Sequence, residues 1–176
     1  YKEANRLGNL VADIIQLSRL DEQQDAVVSM ESVELDELAK DVVNNLRDHA
    51  EKKNISLDYC GIPINIQGVR HVLYEMLYNI ADNAVRYTNP GGHIHIYVGR
   101  KGDRPFYRVE DDGIGIPKSE QKRIFERFYR VDKSHSRQTG GTGLGLSIVK
   151  HGATLHHAQI NVDSDLGKGT KMELLF

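Results

Sequence analysis

Three short glycine clusters are the most informative feature of this 176-residue chain, because each places flexible backbone beside residues that can bind an anion or a metal ion. Clustered glycine is typical of backbone that approaches a ligand, whereas diffuse glycine is typical of linkers. Half of the 16 glycines lie in these clusters, at Gly113, Gly115, Gly140, Gly141, Gly143, Gly145, Gly167 and Gly169.

The cluster at 140–148 reads Gly-Gly-Thr-Gly-Leu-Gly-Leu-Ser-Ile and leads directly into an apolar helix start. Unpaired N–H groups and the helix dipole make such a start an anion-binding site. A P-loop is disfavoured because no Gly-Lys-Ser/Thr follows, and the spacing also departs from the dinucleotide-binding fingerprint. We therefore predict phosphate binding by a fold other than these two.

The segment 109–117 places acidic residues, among them Asp111 and Asp112, directly before a Gly-x-Gly turn and a proline. Gly113 and Gly115 allow the backbone to pass close to a flat or anionic ligand. A carboxylate ahead of this turn can accept a hydrogen bond from an exocyclic amine. The alternative is an ordinary tight turn capped by aspartate.

A polar stripe follows one side of the helix predicted for residues 69–87. At about 100° per residue, the stripe contains Glu75, Asn79, Asp82 and Arg86, with Asn83 at its edge. A carboxylate, neutral oxygen donors and a cation together suit Mg²⁺ and phosphate. A solvated helix face is the alternative, although surfaces seldom need asparagine, a mediocre helix former, twice in one stripe.

The predicted elements that must position these residues mix helices with hairpin-like strands. Apolar periodicity predicts helices over 34–53, 69–87 and 143–157. Short apolar or alternating segments predict strands at 55–59, 62–66, 93–98, 106–109, 159–163 and 170–175. Because this order is not a strict βαβ alternation, we expect an α+β layer sandwich.

The N-terminal residues form a separate predicted helix that ends near Leu20. Its seam of Leu7, Leu10, Ile14 and Leu17 is narrow and heptad-like, which favours packing on another helix over packing on its own domain. The acidic stretch at 21–25 then indicates a junction. Since the chain begins without an initiator methionine or a signal peptide, we expect it to be cut from a longer protein.

Composition excludes several classes of protein. A mass of 19.9 kDa suits one domain with a short appendage, and no apolar run approaches the ~20 residues of a membrane span. The single cysteine, Cys60, excludes an internal disulfide and fits a reducing compartment. The net charge of −2 hides a segment at 118–137 with seven basic and three acidic residues, which suits an anionic ligand or a solvated loop.

Together these motifs resemble the ATP-binding domain shared by sensor histidine kinases and the gyrase, Hsp90 and MutL superfamily. Residues 75–88 match the N box, and the three glycine boxes are matched at 111–115, 141–146 and 167–170. The sequence Ile-Phe-Glu-Arg-Phe-Tyr-Arg at 124–130 matches the F box, which separates histidine kinases from their relatives. The resemblance covers roughly residues 30–176 and implies the two-layer Bergerat ATP-binding fold, a mixed sheet packed on about three helices and preceded here by a helical stub.

The resemblance also implies how ATP and Mg²⁺ are bound. Asp111 would bind the adenine amino group, and Asn79 would give an oxygen to Mg²⁺ with Asn83 nearby. Arg86 and Tyr87 would meet the phosphates. The other implied nucleotide-binding positions are Gly113, Gly115, Gly141, Thr142, Gly143, Leu144, Gly145, Leu146 and Thr170.

Three residues are implied in catalysis: Glu75, Asn79 and Arg130. Glu75 occupies the position that would polarise the attacking imidazole. Arg130 would reach the γ-phosphate from a lid formed by residues 131–142 and hinged by the glycines at 140 and 141. Phosphoryl transfer would then depend mostly on positioning and charge neutralisation.

The activity implied is transfer of the ATP γ-phosphate to a histidine on a dimerisation domain, for relay to a response-regulator aspartate. Residues 1–28 would be the end of the second dimerisation helix plus a linker, and residues 29–176 the catalytic domain. None of the eight histidines lies in a His-Glu/Asp-x-x-Arg-Thr-Pro context, so we expect the acceptor helix to precede Tyr1 and the chain not to phosphorylate itself alone.

The partners expected from the resemblance are ATP or ADP, the phosphoacceptor domain of the same protein, and a response regulator, with no nucleic acid. The parent protein would be a homodimer in the cell membrane, with this domain in the cytoplasm. Two alternatives remain. One is a Ser/Thr kinase related to the anti-sigma-factor kinases, which the F box and the N-terminal helix disfavour. The other is a non-catalytic nucleotide-sensing module, which the intact Glu75 and Asn79 disfavour.

The chain departs from the family pattern at four places. Arg86 stands where lysine is usual, and Asp112 where asparagine is usual. Gly152 interrupts the last predicted helix at a cost of ~1 kcal/mol relative to alanine. The pair at 157–158 is His-Ala where Gly-Gly or Gly-Ala is common.

Overall fold

The computed structural model describes residues 28–131 and 142–176, together with residues 4, 7, 8, 10–12, 14, 15 and 18. Strands and helices alternate irregularly along the described ranges. In chain order the elements are β1 Glu31–Glu34, α1 Leu35–Lys52, β2 Ser56–Gly61, β3 Asn65–Gly68, α2 Arg70–Tyr87, β4 His93–Lys101, β5 Arg104–Asp111, a 3-10 turn Arg123–Phe125, α3 Gly145–Leu155, β6 Gln159–Asp165 and β7 Gly169–Leu175.

Five strands form a mixed sheet in the order β2-β4-β5-β7-β6. β2 runs parallel to β4, and the other neighbours are antiparallel. Alternate residues such as Ile96, Tyr107 and Leu174 are fully buried against the helices, and the Tyr107 hydroxyl donates to the Leu77 carbonyl of α2 at 3.0 Å. The α+β class and the sheet packed on three helices are therefore as predicted.

Helix α1 begins where Glu34 caps it. The Glu34 carboxylate accepts from the backbone N–H of Glu37 at 3.1 Å and also from Ile64 N–H at 3.0 Å, which ties the helix start to the segment before β3. Leu38, Val42 and Leu46 then repeat at helical spacing and are buried. β1, which pairs with β3 in a separate two-stranded sheet, was not predicted, and the strand predicted at 62–66 begins only at residue 65.

The helix that contains Gly152 is continuous, and the structure explains why glycine is present. α2 and α3 pack closely, and a Cβ at Gly152 would lie 2.5 Å from Met76 Sδ and 2.6 Å from its Cγ. Glycine is less favourable than alanine inside a helix, but at this position it allows the close contact between the two helices.

The described N-terminal residues are helical, as predicted, and leave apolar side chains uncovered. Leu7, Val11, Ile14 and Ile15 are 45–59% exposed, while Leu10 packs partly against the core. Leu17 and Leu20 lie outside the described residues, and the helical partner of the seam stays a prediction. Over the positions that the structure describes, no helix has both the length and the apolar character needed to cross a bilayer.

His156 joins the end of α3 to the start of α2. Its Nε2 accepts from the backbone N–H of Val69 at 3.0 Å, so Nδ1 carries the hydrogen and donates to the Gly152 carbonyl at 2.7 Å. Both bonds need a neutral imidazole. Burial lowers the pKa of His156, which also favours the neutral ring.

We expect His156 to make the protein less stable in mild acid. The unfolded chain binds a proton on this ring near pH 6.5, whereas the folded chain binds it only at lower pH. Between those two values the unfolded state binds more protons, so the free energy of unfolding falls as the pH drops below about 6.5. Urea unfolding of wild type from pH 7.5 to 5 should show this loss, and His156→Gln should show less of it. Substitution of the exposed His49 by Gln is the matched control; equal pH slopes for wild type and His156→Gln would exclude the effect.

Candidate functional site

The first part of the site is the turn that follows β5. The Asp111 carboxylate accepts from the backbone N–H of Gly113 at 2.9 Å, and Asp111 is paired with Thr170 across the β5–β7 ladder. Burial raises the pKa of Asp111 to about 6, against the lowering effect of backbone N–H groups of Gly113 and Thr170. A half-buried carboxylate with spare acceptor capacity is able to bind a donor such as an amine.

The glycines of this turn are required by contacts within the chain itself. A Cβ at Gly113 would overlap the Tyr87 carbonyl, and a Cβ at Gly115, whose φ is +70°, would overlap the Asp165 carbonyl. Gly169, with φ +93°, lies in the same way against the Asp111 carbonyl. The first and third glycine boxes therefore pack backbone on backbone, which fixes Asp111 beside the end of α2.

Two polar residues that sequence reasoning missed hold these turns together. The buried Ser164 hydroxyl accepts from Ile116 N–H and donates to the Gly169 carbonyl, both at 2.8 Å, and lies 2.9 Å from the Thr170 hydroxyl. Gln121 donates to the carbonyls of Ile116 at 3.0 Å and Ser164 at 2.8 Å. No local pattern distinguishes these residues from ordinary surface positions, so only their contacts identify them.

The polar stripe of α2 forms the second part of the site. All of its members, Glu75, Asn79, Asp82, Asn83 and Arg86, are partly buried, as is Tyr87. The Asn79 amide donates to the Glu75 carbonyl at 2.8 Å, and its Oδ1 would lie 2.7 Å from a Cβ at Gly145. Arg86 Nε donates to Asp82 Oδ2 at 2.6 Å. The stripe is thus not a freely solvated face, and Asn79 presents its amide oxygen to the second glycine box.

The second glycine box leads into α3. Leu144 is fully buried and anchors the helix start, and among the described residues no side chain caps it. Phe128 of the F box donates its N–H to the Gly143 carbonyl at 2.9 Å, which joins the two boxes. The backbone N–H groups at such a helix start have no intrahelical acceptors, so this end of α3 can donate hydrogen bonds to phosphate oxygens.

Part of the predicted lid lies outside the described residues, including the predicted nucleotide-binding Gly141 and the hinge position Gly140. On its borders, Thr142 Oγ1 accepts from Leu144 N–H at 3.4 Å, and Arg130 and Leu146 are partly buried. The Arg123 guanidinium, directly before the F box, lies 4.1 Å from the centre of the Tyr129 ring within it. The catalytic role predicted for Arg130 stays a prediction.

Glu75 also faces a separate cleft between α1 and the first turns of α2. This α1–α2 cleft has a volume of about 550 Å³. It is lined by Ser29, Glu31, Leu38, Asp41, Val69, Arg70, His71, Tyr74 and Glu75. Glu75 is therefore open to a second molecule or segment that enters beside α2.

Two of the departures from the family pattern have local explanations. The Asp112 carboxylate accepts from His93 N–H at 2.8 Å and lies 3.0 Å from His93 Nδ1, and the His93 backbone N–H lowers the pKa of Asp112. Its charge is therefore held at the start of β4. His157 has a φ of +53°, a left-handed conformation that glycine adopts without steric cost, which accounts for the glycine common at this position.

Comparison with known proteins finds one ATPase family and several histidine kinases that are similar to this chain. Residues 68–176 match the family described as histidine kinase-, DNA gyrase B- and HSP90-like ATPase. The sensor-like histidine kinase SenX3 of Mycobacterium tuberculosis is 38% identical over 174 residues, covering 98% of this chain and 42% of SenX3. The sensor histidine kinase RppB of Synechocystis is 36% identical over 171 residues, covering 96% of this chain and 37% of RppB. The chain thus spans about two-fifths of the length of these relatives.

A solved structure extends the similarity to three dimensions. Full-length ShkA, solved in complex with AMPPNP, aligns with a TM-score of 0.81 at 27% identity, over 98% of this chain and 36% of ShkA. The similarity therefore extends over nearly the whole of this chain.

Proposed function

The chain belongs to the histidine kinase-, DNA gyrase B- and HSP90-like ATPase family, and from this premise we propose that it is the catalytic domain of a sensor histidine kinase. ATP binding follows from membership of an ATPase family. The observation that carries the proposal is the placement of the half-buried Asp111 carboxylate beside the end of α2, whose polar face meets the second glycine box at Asn79 and Gly145.

Adenine recognition is assigned to Asp111. The carboxylate keeps one oxygen on the Gly113 N–H, which fixes its orientation and leaves acceptor capacity for the exocyclic amine. Ser164 holds the Thr170 hydroxyl close to Asp111. Because the Ser164 hydroxyl donates its hydrogen to the Gly169 carbonyl, the Thr170 hydroxyl must be the donor in its bond to Ser164. The lone pairs of Thr170 then remain for the nucleotide. Gly113 and Gly115 let the turn pack against the Tyr87 and Asp165 carbonyls, which holds the Asp111 carboxylate in place.

The phosphates are assigned to the end of α2 and the start of α3. Arg86 and Tyr87 on one side, with the backbone of residues 143–146 on the other, supply cationic and N–H donors. The Asn79 amide oxygen, with Asn83 one turn further along α2, fits a hard divalent cation, which prefers neutral and anionic oxygen ligands. Mg²⁺ bound there would neutralise charge on the phosphates.

Phosphoryl transfer is assigned to Glu75. Its carboxylate lies on the same helix face as Asn79, one turn earlier, and also lines the α1–α2 cleft. An acceptor histidine that enters through this cleft can donate its ring N–H to Glu75, so that the opposite nitrogen attacks the γ-phosphate. Arg130, at the border of the lid, is assigned to stabilise charge on that phosphate.

The remaining features of the parent protein follow from the same proposal. Residues 1–28 belong to the dimerisation domain, and the exposed apolar seam of that helix supports packing against helices of a homodimer. The acceptor histidine belongs to this dimerisation domain, and the final recipient of the phosphate is a response regulator. The parent protein is placed in the cell membrane, with this domain on its cytoplasmic side.

The direct test is transfer in trans. The chain should phosphorylate a separately expressed dimerisation domain that carries its histidine, in the presence of Mg-ATP, and the product should be acid-labile and base-stable. The chain alone should remain unlabelled. An acid-stable phosphate on serine or threonine would favour a kinase related to the anti-sigma-factor kinases, and ATP binding without any transfer would favour a nucleotide-sensing module.

A further inference from the structure

Lys53, the C-cap residue that directly follows α1, reaches across to the end of α2. Its ammonium donates to the backbone carbonyls of Val85 at 2.8 Å, Arg86 at 2.8 Å and Thr88 at 3.1 Å. All three ammonium hydrogens are therefore used. A cation at the carboxyl end of a helix satisfies the last carbonyls and interacts favourably with the helix dipole.

The same turn of α2 is held from its other side by the first glycine box. The Tyr87 carbonyl accepts from Ile114 N–H at 3.1 Å, and Gly113 lies against that carbonyl. The backbone of residues 85–88 is thus fixed between Lys53 and the turn that follows Asp111. Arg86 and Tyr87 project from this segment, so their position relative to Asp111 depends on both attachments.

We propose that Lys53 is a positioning residue for nucleotide phosphate binding, which fixes the last turn of α2 so that Arg86 and Tyr87 lie at the correct distance from Asp111. The inference rests on the proposed function. No recognised motif contains Lys53, which lies 22 positions before Glu75 in the sequence and donates to backbone carbonyls at the end of α2.

The partial burial of Lys53 supports its role in fixing the last turn of α2. Lys53 is partly buried, and this burial, followed by the nearby charge of Arg86, lowers the pKa of Lys53. Removal of the ammonium would take this donor away from the carbonyls of Val85, Arg86 and Thr88, and hydrogen bonds to a charged group contribute more than those between neutral groups.

The test compares Lys53→Met, which keeps the aliphatic stem, with Lys53→Arg and with Lys52→Met as a matched control. Lys52 is the neighbouring lysine and is exposed. We expect Lys53→Met to weaken ADP binding by about tenfold, as for loss of a charge-assisted hydrogen bond. Adenosine, which lacks phosphates, should lose less than twofold, Lys53→Arg should recover most of the ADP affinity, and Lys52→Met should match wild type.

Hydrogen exchange of the α2 amides gives a readout that does not need the nucleotide. In Lys53→Met, exchange should accelerate about tenfold in the last turn of α2 and remain unchanged in its first two turns. If Lys53→Met is unfolded, Lys53→Gln replaces it, since glutamine keeps two N–H donors without the charge. Equal losses for ADP and adenosine, or unchanged ADP binding and exchange, would overturn the inference. A wild-type chain that binds no ADP would instead overturn the proposed function, and the exchange data would still decide the role of Lys53.

Discussion

Asp111→Asn is expected to lower the affinity for ADP and for Mg-ATP by roughly 10- to 100-fold, the cost of losing one charge-assisted hydrogen bond in a half-buried site. Asparagine has the same shape, and its amide donor would face the adenine amine or the Gly113 N–H, both of which are donors themselves. Calorimetric titration of folded wild type and variant measures the loss. Asp112→Asn is the matched control, because that carboxylate bonds to His93 and should leave affinity within twofold of wild type.

The pH dependence of binding provides a second measurement of the same contact. Burial raises the pKa of Asp111 to about 6, so the carboxylate loses its charge as the pH falls below that value. Adenosine affinity of wild type should therefore fall between pH 7 and pH 5, whereas that of Asp111→Asn should change little. Adenosine is used because the terminal phosphate of a nucleotide itself titrates at about pH 6. Equal affinities of the two proteins at pH 7 would remove the adenine assignment and leave Asp111 as a turn residue.

Glu75→Gln is expected to reduce phosphoryl transfer to a dimerisation domain by 10²- to 10⁴-fold, the usual contribution of a general base. ADP affinity should stay within a few-fold of wild type, because the Asn79 amide bonds to the backbone carbonyl of Glu75 and not to its side chain. Single-turnover labelling with saturating Mg-ATP measures the transfer step. Glu51→Gln, an exposed substitution on α1, controls for the loss of one negative charge.

The combination of outcomes separates the possible roles of Glu75. A fall in transfer with normal ADP binding places Glu75 in the chemical step. An equal fall in both would indicate that it supports nucleotide binding through α2. Unchanged transfer would exclude it from catalysis and reopen the assignment of the chain as a nucleotide-sensing module.

Much of the fold and of the candidate site could be predicted because the signals are local. The 3.6-residue period of the segment at 69–87 determines which side of α2 is apolar, and so it places Asn79 and Glu75 on one face. The pattern of glycines directly after an acidic strand end is likewise visible within a few residues of sequence. β1 was missed because its four residues include three polar ones, Glu31, Ser32 and Glu34, and the strand forms only by pairing with β3.

The sequence by itself determined the family and the α+β class, and it supplied the prediction of the residues that we assign to the nucleotide, because motif spacing and hydrophobic periodicity act over a few turns of chain. Only the tertiary structure decided why Gly113, Gly115 and Gly169 are glycines, since the atoms that exclude their side chains come from distant backbone. The burial that raises the pKa of Asp111, and the hydrogen bonds from Lys53 to the end of α2, likewise exist only in the folded structure. Burial and hydrogen bonding between segments far apart in sequence depend on packing, and no local pattern encodes them.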